Sequence, residues 1–248
     1  MNRRTAISTL ALAAAPAIAG PVGLRLPGGF DPRQIAGLLL WLDASRITGL
    51  NDGDAVTTWT DLTGNGWNAT QGTASAKPTY RVVGGLPVVQ TDGVNDWLAT
   101  TGPDLSTAAY TVVGASRWVV ANTGRTFSGH GSGINWLMGH WSSSTENYYA
   151  NGSWVAGPNA GASDTNWRIY AATGDFTNDS WAMYVNGVLT AGPNSNGLNG
   201  PGNFYLGSSL GVGEFGNAQF SFMFVYNRVL TGAEIQTIYD NMRGRLGL

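Results

Sequence analysis

Residues 181–189 read Trp-Ala-Met-Tyr-Val-Asn-Gly-Val-Leu. Two apolar runs, Trp181–Val185 and Val188–Leu189, flank Asn186-Gly187. Both of these turn residues accept positive φ, which matches the twist of a two-residue hairpin. This is the strongest local signal in the chain, and it predicts adjacent antiparallel strands. Outward from it, Phe204–Leu206 and Phe220–Tyr226 read as further strands. The spacing of Phe220, Phe222 and Phe224 predicts three rings on one sheet face. Toward the amino end, strands are predicted at Leu38–Leu42, Val56–Trp59, Leu86–Val89, Tyr110–Val113 and Arg117–Val120. Asp61–Gly66 and Thr91–Gly93 carry turn chemistry between them. Thr231-Gly-Ala-Glu234 is a capping box, and Ile235, Ile238, Tyr239 and Met242 follow at helical spacing. The pattern predicts an all-β protein with a short C-terminal helix. No internal repeat is present.

Composition agrees. The 248 residues include 36 glycines, and only 11% are charged, against about 25% in an average globular chain. Such a chain suits many short strands joined by tight turns. The 10 tryptophans argue against disorder. A formal net charge of -2 with scattered arginines leaves no footprint for nucleic acid. The absence of cysteine excludes disulfides, thiolate catalysis and Cys-ligated zinc.

Residues 1–19 have the layout of an export signal. Arg3 and Arg4 precede the apolar run Thr5–Ala15, and Ala17-Ile18-Ala19 forms a small-residue cleavage site. The run is too short to span a bilayer. The alternative is an uncleaved N-terminal arm that packs on a neighbour. Residues 20–36 read as a Pro/Gly-rich linker, and residues 37–248 as the domain.

Several blocks occur in the order expected of one family. Leu40-Trp41-Leu42-Asp43-Ala44-Ser45 precedes Trp59-x-Asp61-Leu-Thr-Gly64-Asn65-Gly66. Asp92-Gly93-Val-Asn-Asp96-Trp97-Leu98 follows, and then Tyr184-Val-Asn186-Gly187-Val-Leu189. Tyr226-Asn227-Arg228-Val-Leu230-Thr-Gly-Ala-Glu234-Ile235 closes the series. Together they resemble laminin-G-like domains of the concanavalin A-like superfamily. The resemblance covers about Gly37 to Leu246. It implies a two-sheet antiparallel jelly-roll sandwich with Trp41 and Trp59 in the core. It does not imply one function, because a fold hosts many.

Catalytic motifs fail on context. Gly207-Ser208-Ser209-Leu210-Gly211 has the form of a nucleophile elbow, but His130 and His140 both precede it and no helix follows. Gly211-Val-Gly213-Glu-Phe-Gly216 likewise opens no helix to hold a pyrophosphate. Glycoside hydrolysis usually needs two carboxylates flanking the scissile bond. Glu146, Glu214 and Glu234 are the only glutamates, and none lies in a Glu-x-Asp-x-x-Glu pattern. The reading is therefore non-catalytic, with no cofactor, and the alternative is glycoside hydrolysis by an aspartate pair that folding brings together. Calcium remains compatible through Asp61, Asp92 with Asp96, or Asp175 with Asp179, although turn formation explains each more simply. His130 and His140 have no metal-ligating company and read as loop residues.

The segment Ser128–Ala162 is polar and glycine-rich, yet carries Trp136, His140, Trp141, Tyr148, Tyr149 and Trp154. Trp136 reads as core. Trp141, Tyr148, Tyr149 and Trp154 are candidate contacts, since rings flanked by amides and hydroxyls can stack on a sugar. They serve equally as anchors for a protein partner. Two functions follow. One is a carbohydrate- or surface-binding adhesion module, extracellular or displayed. The other is a structural protein of a phage particle, a head decoration or tail component at the virion surface. Its arm, residues 1–36, would then dock on neighbouring virion proteins. Either is compatible with a homo-oligomer.

Overall fold

A computed structural model describes residues 30–121, 124–131 and 133–248, and these described residues form sixteen strands, one α-helix and four short 3-10 helices. In chain order the first strands are β1 (Leu38–Asp43), β2 (Thr58–Trp59), β3 (Ala69–Thr70), β4 (Thr79–Val83) and β5 (Leu86–Gln90). β6 (Leu98–Ala99), β7 (Tyr110–Trp118), β8 (Phe127–Gly131), β9 (Ile134–Trp141), β10 (Ser144–Ala150) and β11 (Trp154–Ala156) follow. The last are β12 (Arg168–Asp175), β13 (Ser180–Val185), β14 (Val188–Asn194), β15 (Asn203–Leu206) and β16 (Ala218–Tyr226). They form two antiparallel sheets. The first runs β14-β13-β12-β7-β16-β5-β4, with β1 also paired to β16. The second runs β11-β10-β9-β8-β15-β6-β3-β2.

The expected two-sheet sandwich is the observed architecture. Side chains alternate across each strand, and the inward set from both sheets forms the core. Leu40, Val112, Tyr170, Met183, Phe220 and Met223 come from the first sheet. Trp59, Phe127, Trp136, Met138, Tyr148 and Phe204 come from the second. The Asn186-Gly187 turn takes φ of 51° and 80°, as its hairpin requires. Helix α1 (Gly232–Met242) opens on the expected box, with Glu234 N donating to Thr231 Oγ1 and Thr231 N donating to Glu234 Oε2. It buries Ile235, Ile238 and Met242.

Four expectations need correction. Arg117–Val120 is not a separate strand: β7 runs unbroken from Tyr110 to Trp118. Its middle is small because the Phe127 ring lies where a Cβ on Gly114 would sit. The three phenylalanines do not share a face. A register shift between Phe220 and Phe222 inserts one residue and reverses the alternation. Phe220 meets Phe127 inside, while Phe222 and Phe224 stack on the outer side at 4.7 Å beside Trp41. Trp41 is thus buried outside the inter-sheet core, under the Arg33 guanidinium. Finally, the packed unit begins at Pro32, ahead of Gly37. The Pro32 carbonyl accepts from Tyr226 and the Ala36 carbonyl from Arg228. The fourth correction concerns the histidines, which lie in strands β8 and β9 and are buried. The segment 1–19, read as a signal or arm, lies outside the described residues.

Candidate functional site

The outer face of the second sheet carries the aromatic cluster. On β9, Trp136 and Met138 point into the core, so Leu137 and Trp141 point outward. β10 pairs Tyr148 with Met138 and Tyr149 with Leu137. Tyr149 is therefore outward, and it pairs with Trp154 of β11. Trp141, Tyr149 and Trp154 are each half-buried and touch one another. Trp141 and Trp154 lie 5.3 Å apart at 34°, and Tyr149 and Trp154 lie 4.9 Å apart at 60°. Three of the four expected contact residues are thus brought together.

Tyr148 is not one of them. It is fully buried, and its hydroxyl meets that of Tyr110 and donates to the Thr173 carbonyl. Burial pushes its ionisation well above the ordinary phenol range. The physical reason is parity: neighbours along a strand face opposite sides, and Tyr149 takes the outer one.

A carboxylate frames the rings. Glu214 Oε1 accepts from the Trp141 indole Nε1 at 2.7 Å, and its Oε2 accepts from Arg125 Nε at 2.6 Å. The Arg125 side chain is only 5% exposed and also donates to Asn135 Oδ1 at 2.6 Å. Burial lowers its pKa, and Glu214 works against that shift. Asn151 Oδ1 accepts from the Asn135 backbone, and Asn151 Nδ2 donates to Asn199. The rings therefore stand on a fixed polar network.

His130 continues this face along β8. Its Nδ1 meets the Ile134 carbonyl at 3.2 Å, its Nε2 meets Ser209 Oγ at 3.4 Å, and its ring meets Tyr205 edge-on at 5.5 Å. Burial first, then the Arg125 charge, lower its pKa to about 4. It is neutral near pH 7 and can both donate and accept. Tyr205 in turn lies 5.8 Å from Trp97. The loop between β15 and β16 closes over this part of the sheet, with Gly211 against the Trp97 ring and Ser128 Oγ bonded to the Ser208 carbonyl. Sequence reasoning missed Arg125, His130, Tyr205 and Trp97, and weighed Glu214 only as a hydrolase carboxylate. Arg125 and Glu214 are 89 positions apart, and no local pattern joins them.

The aspartates considered for calcium are engaged in turns. Asp61 accepts from Trp41 N, Thr63 N and Trp67 N. Asp92 accepts from Val94, Asn95 and Asp96 N, and Asp175 from Thr177 and Asn178 N. Among the described residues, no group of three or more His, Cys, Asp or Glu side chains converges. No helix among them is long and apolar enough to cross a membrane.

No family model and no curated protein sequence matches the chain. Solved structures do. Domain 4 of AbnA, a GH43 extracellular arabinanase from Geobacillus stearothermophilus in complex with arabinotriose, superposes with a TM-score of 0.59 at 19% identity. The match covers 82% of this chain and 98% of that one. The binding domain of Paraclostridial Mosquitocidal Protein 1 gives 0.57 at 12%, over 84% and 52%. Trypanosoma rangeli sialidase in complex with sialic acid gives 0.55 at 16%, over 85% of this chain and 33% of that one. The chain thus spans about half of the toxin domain and a third of the sialidase. At these identities the likeness shows a shared β-sandwich fold.

Proposed function

We propose that the protein is a non-catalytic carbohydrate-binding module of the laminin-G-like, concanavalin A-like kind, acting outside the cell as an adhesion module. The observation that carries the reading is the outward trio Trp141, Tyr149 and Trp154, held by the Glu214 carboxylate. Contiguous half-exposed rings offer a stacking platform for the apolar face of a pyranose or furanose. The Asn135, Asn151 and His130 side chains are bonded beneath and beside the rings and fix the surface on which a sugar would stack. Of the three neighbours described, one is a domain of an arabinanase in complex with arabinotriose, which supports the same class of ligand.

The glutamates favour binding over catalysis. Glu146 pairs with Arg168, Glu234 caps the helix and pairs with Arg228, and Glu214 is shared between Arg125 and Trp141. A general acid needs a raised pKa, whereas the Arg228 guanidinium holds Glu234 down to about 2. The test is a glycan array followed by calorimetry. Saturable oligosaccharide binding that disappears in Trp154→Ala while the fold persists is expected. A flat array, or binding indifferent to that substitution, would sink the reading.

A further inference from the structure

The Glu214 side chain is 37% exposed, whereas that of its partner Arg125 is 5% exposed. The carboxylate therefore reaches solvent at the edge of the Trp141 ring, and the cation that balances it lies inside the protein. A carboxylate offers about four lone-pair positions. The Trp141 indole fills one at 2.7 Å and Arg125 another at 2.6 Å. The rest of its accepting capacity points to where a ligand on the ring would lie.

The backbone holds this carboxylate against its own preference. Glu214 takes a φ of 50°, a left-handed conformation that is uncommon for any residue with a Cβ. Its carbonyl accepts from Arg125 N at 2.9 Å, so main chain and side chain are both tied to Arg125. Such strain persists where the surroundings over-determine it, and it clusters at ligand contacts.

Charge decides what this contact accepts. From Ile134 to Trp167, the stretch that carries all three rings, there is no Lys or Arg. Its charged side chains are Glu146 and Asp164, and both pair with Arg168 of β12. An acidic sugar stacked on Trp141 would set its own charge against Glu214, while the cation paired with that carboxylate is buried. A neutral sugar stacks its apolar face on the ring and projects its hydroxyls around the ring edge. There a carboxylate is a strong acceptor. The rings touch one another at 4.9 and 5.3 Å, which leaves no cage between them for an ammonium group.

We propose that Glu214 is a specificity-determining contact of the ring patch, accepting hydrogen bonds from the hydroxyls of neutral sugars and excluding sugars that carry a carboxylate. The inference rests on the reading of the rings as a sugar platform and narrows its ligand class.

The test pairs each sugar with its acid. Arabinotriose, cellotriose, galactotriose and mannotriose are titrated into the whole protein by calorimetry, each beside the form whose primary hydroxyls are oxidised to carboxylates. For every trisaccharide that binds, the oxidised form should bind at least about tenfold more weakly. Added salt should narrow that gap, because exposed charges are screened. Glu214→Gln should lower affinity for the neutral sugar about threefold and shrink the gap to about threefold or less. The salt series needs no variant and covers the case in which Glu214→Gln does not fold. Equal or tighter binding of an oxidised form, a gap indifferent to salt, or an undiminished gap in folded Glu214→Gln overturns the proposal. Neutral-sugar binding that Trp154→Ala abolishes would still uphold the platform in each of those cases. Binding of none of these sugars overturns the proposal too, and a flat glycan array beside it overturns the platform as well.

Discussion

Glu214 and Trp141 are joined across the sheet's outer face, the indole Nε1 donating to the carboxylate at 2.7 Å while the other oxygen holds buried Arg125. One side chain thus couples an exposed ring to a buried cation. Its loss has two consequences that can be read separately. Glu214→Ala leaves Arg125 with Asn135 as its remaining side-chain partner, and because the Glu214 side chain is 37% exposed the cost is that of an unsatisfied buried donor, about 1–3 kcal/mol. It also frees the Trp141 ring to change rotamer, which weakens any sugar stacked on it. Denaturant unfolding should show the stability loss, and calorimetry a fall in affinity. Glu214→Gln, which keeps one acceptor but no charge, should fall between the two proteins in both measurements.

The adjacent tyrosines make a matched pair. Tyr149→Ala removes an outward ring, so it should lower oligosaccharide affinity by about tenfold while changing stability little. Tyr148→Phe should do the reverse. It removes the hydroxyl that meets Tyr110 and Thr173, costing about 1–2 kcal/mol of stability, and leaves affinity intact. If Tyr148→Phe also abolishes binding while the fold persists, the assignment of the two faces is wrong.

That pair also shows what the sequence could and could not disclose. Features written within a few residues were legible: the Asn186-Gly187 hairpin, the Thr231–Glu234 box, and the Asp61 and Asp92 turns. Each depends on local backbone chemistry. Parity was not legible wherever a bulge intervenes. The register of β10 against β9 shifts between Ser144 and Asn147, so no count along the chain tells Tyr148 from Tyr149. The extra residue after Phe220 hid the split of its aromatic run in the same way. His130 and His140 sit in a glycine-rich, polar stretch that reads as loop, and only pairing with neighbouring strands makes it sheet. The candidate site is assembled from β8 to β11 and a loop near the chain's end. Its rings were visible in sequence, but the Arg125–Glu214 frame was not.

The buried histidines make stability depend on pH. Burial and the Arg125 charge bring His130 to about 4, and burial and Arg168 bring His140 to about 3. His140 Nε2 is buried with no partner, so protonating it would place an uncompensated charge in the core. The unfolded chain takes up both protons near pH 6.5. Between those values it binds more protons than the folded protein, so stability rises with pH. The benefit is complete above about pH 6.5 and is lost as pH falls toward 4 and then 3. Asp96 acts oppositely. Burial and Asp92 raise its pKa to about 6, so its ionisation penalises the fold as pH climbs from about 4 to 6. The net slope there is near one proton, about 1.4 kcal/mol per pH unit. Asp96→Asn should steepen it toward twice that and raise stability at pH 7. Urea titrations at about pH 4.5, 5.5 and 7 measure both effects, and an unchanged slope in the variant would refute the Asp96 part.

The C-terminal segment is tied to the opening strand by a buried ion pair. Asp43 has 0% side-chain exposure and Arg245 has 9%, and the guanidinium also lies 6.0 Å over the Phe222 ring. Arg245→Met keeps much of the packing but strands a carboxylate whose remaining donors come from Ser45. Removing one partner of a buried pair typically costs about 3–5 kcal/mol. Replacing both, as Asp43→Asn with Arg245→Met, should recover most of that loss, because no unpaired charge is then left buried. A double-mutant cycle by chemical denaturation reads the difference directly. A coupling near zero would mean that Ser45 alone satisfies Asp43, and that the 243–248 segment is held by Leu246 and the aromatic face rather than by charge.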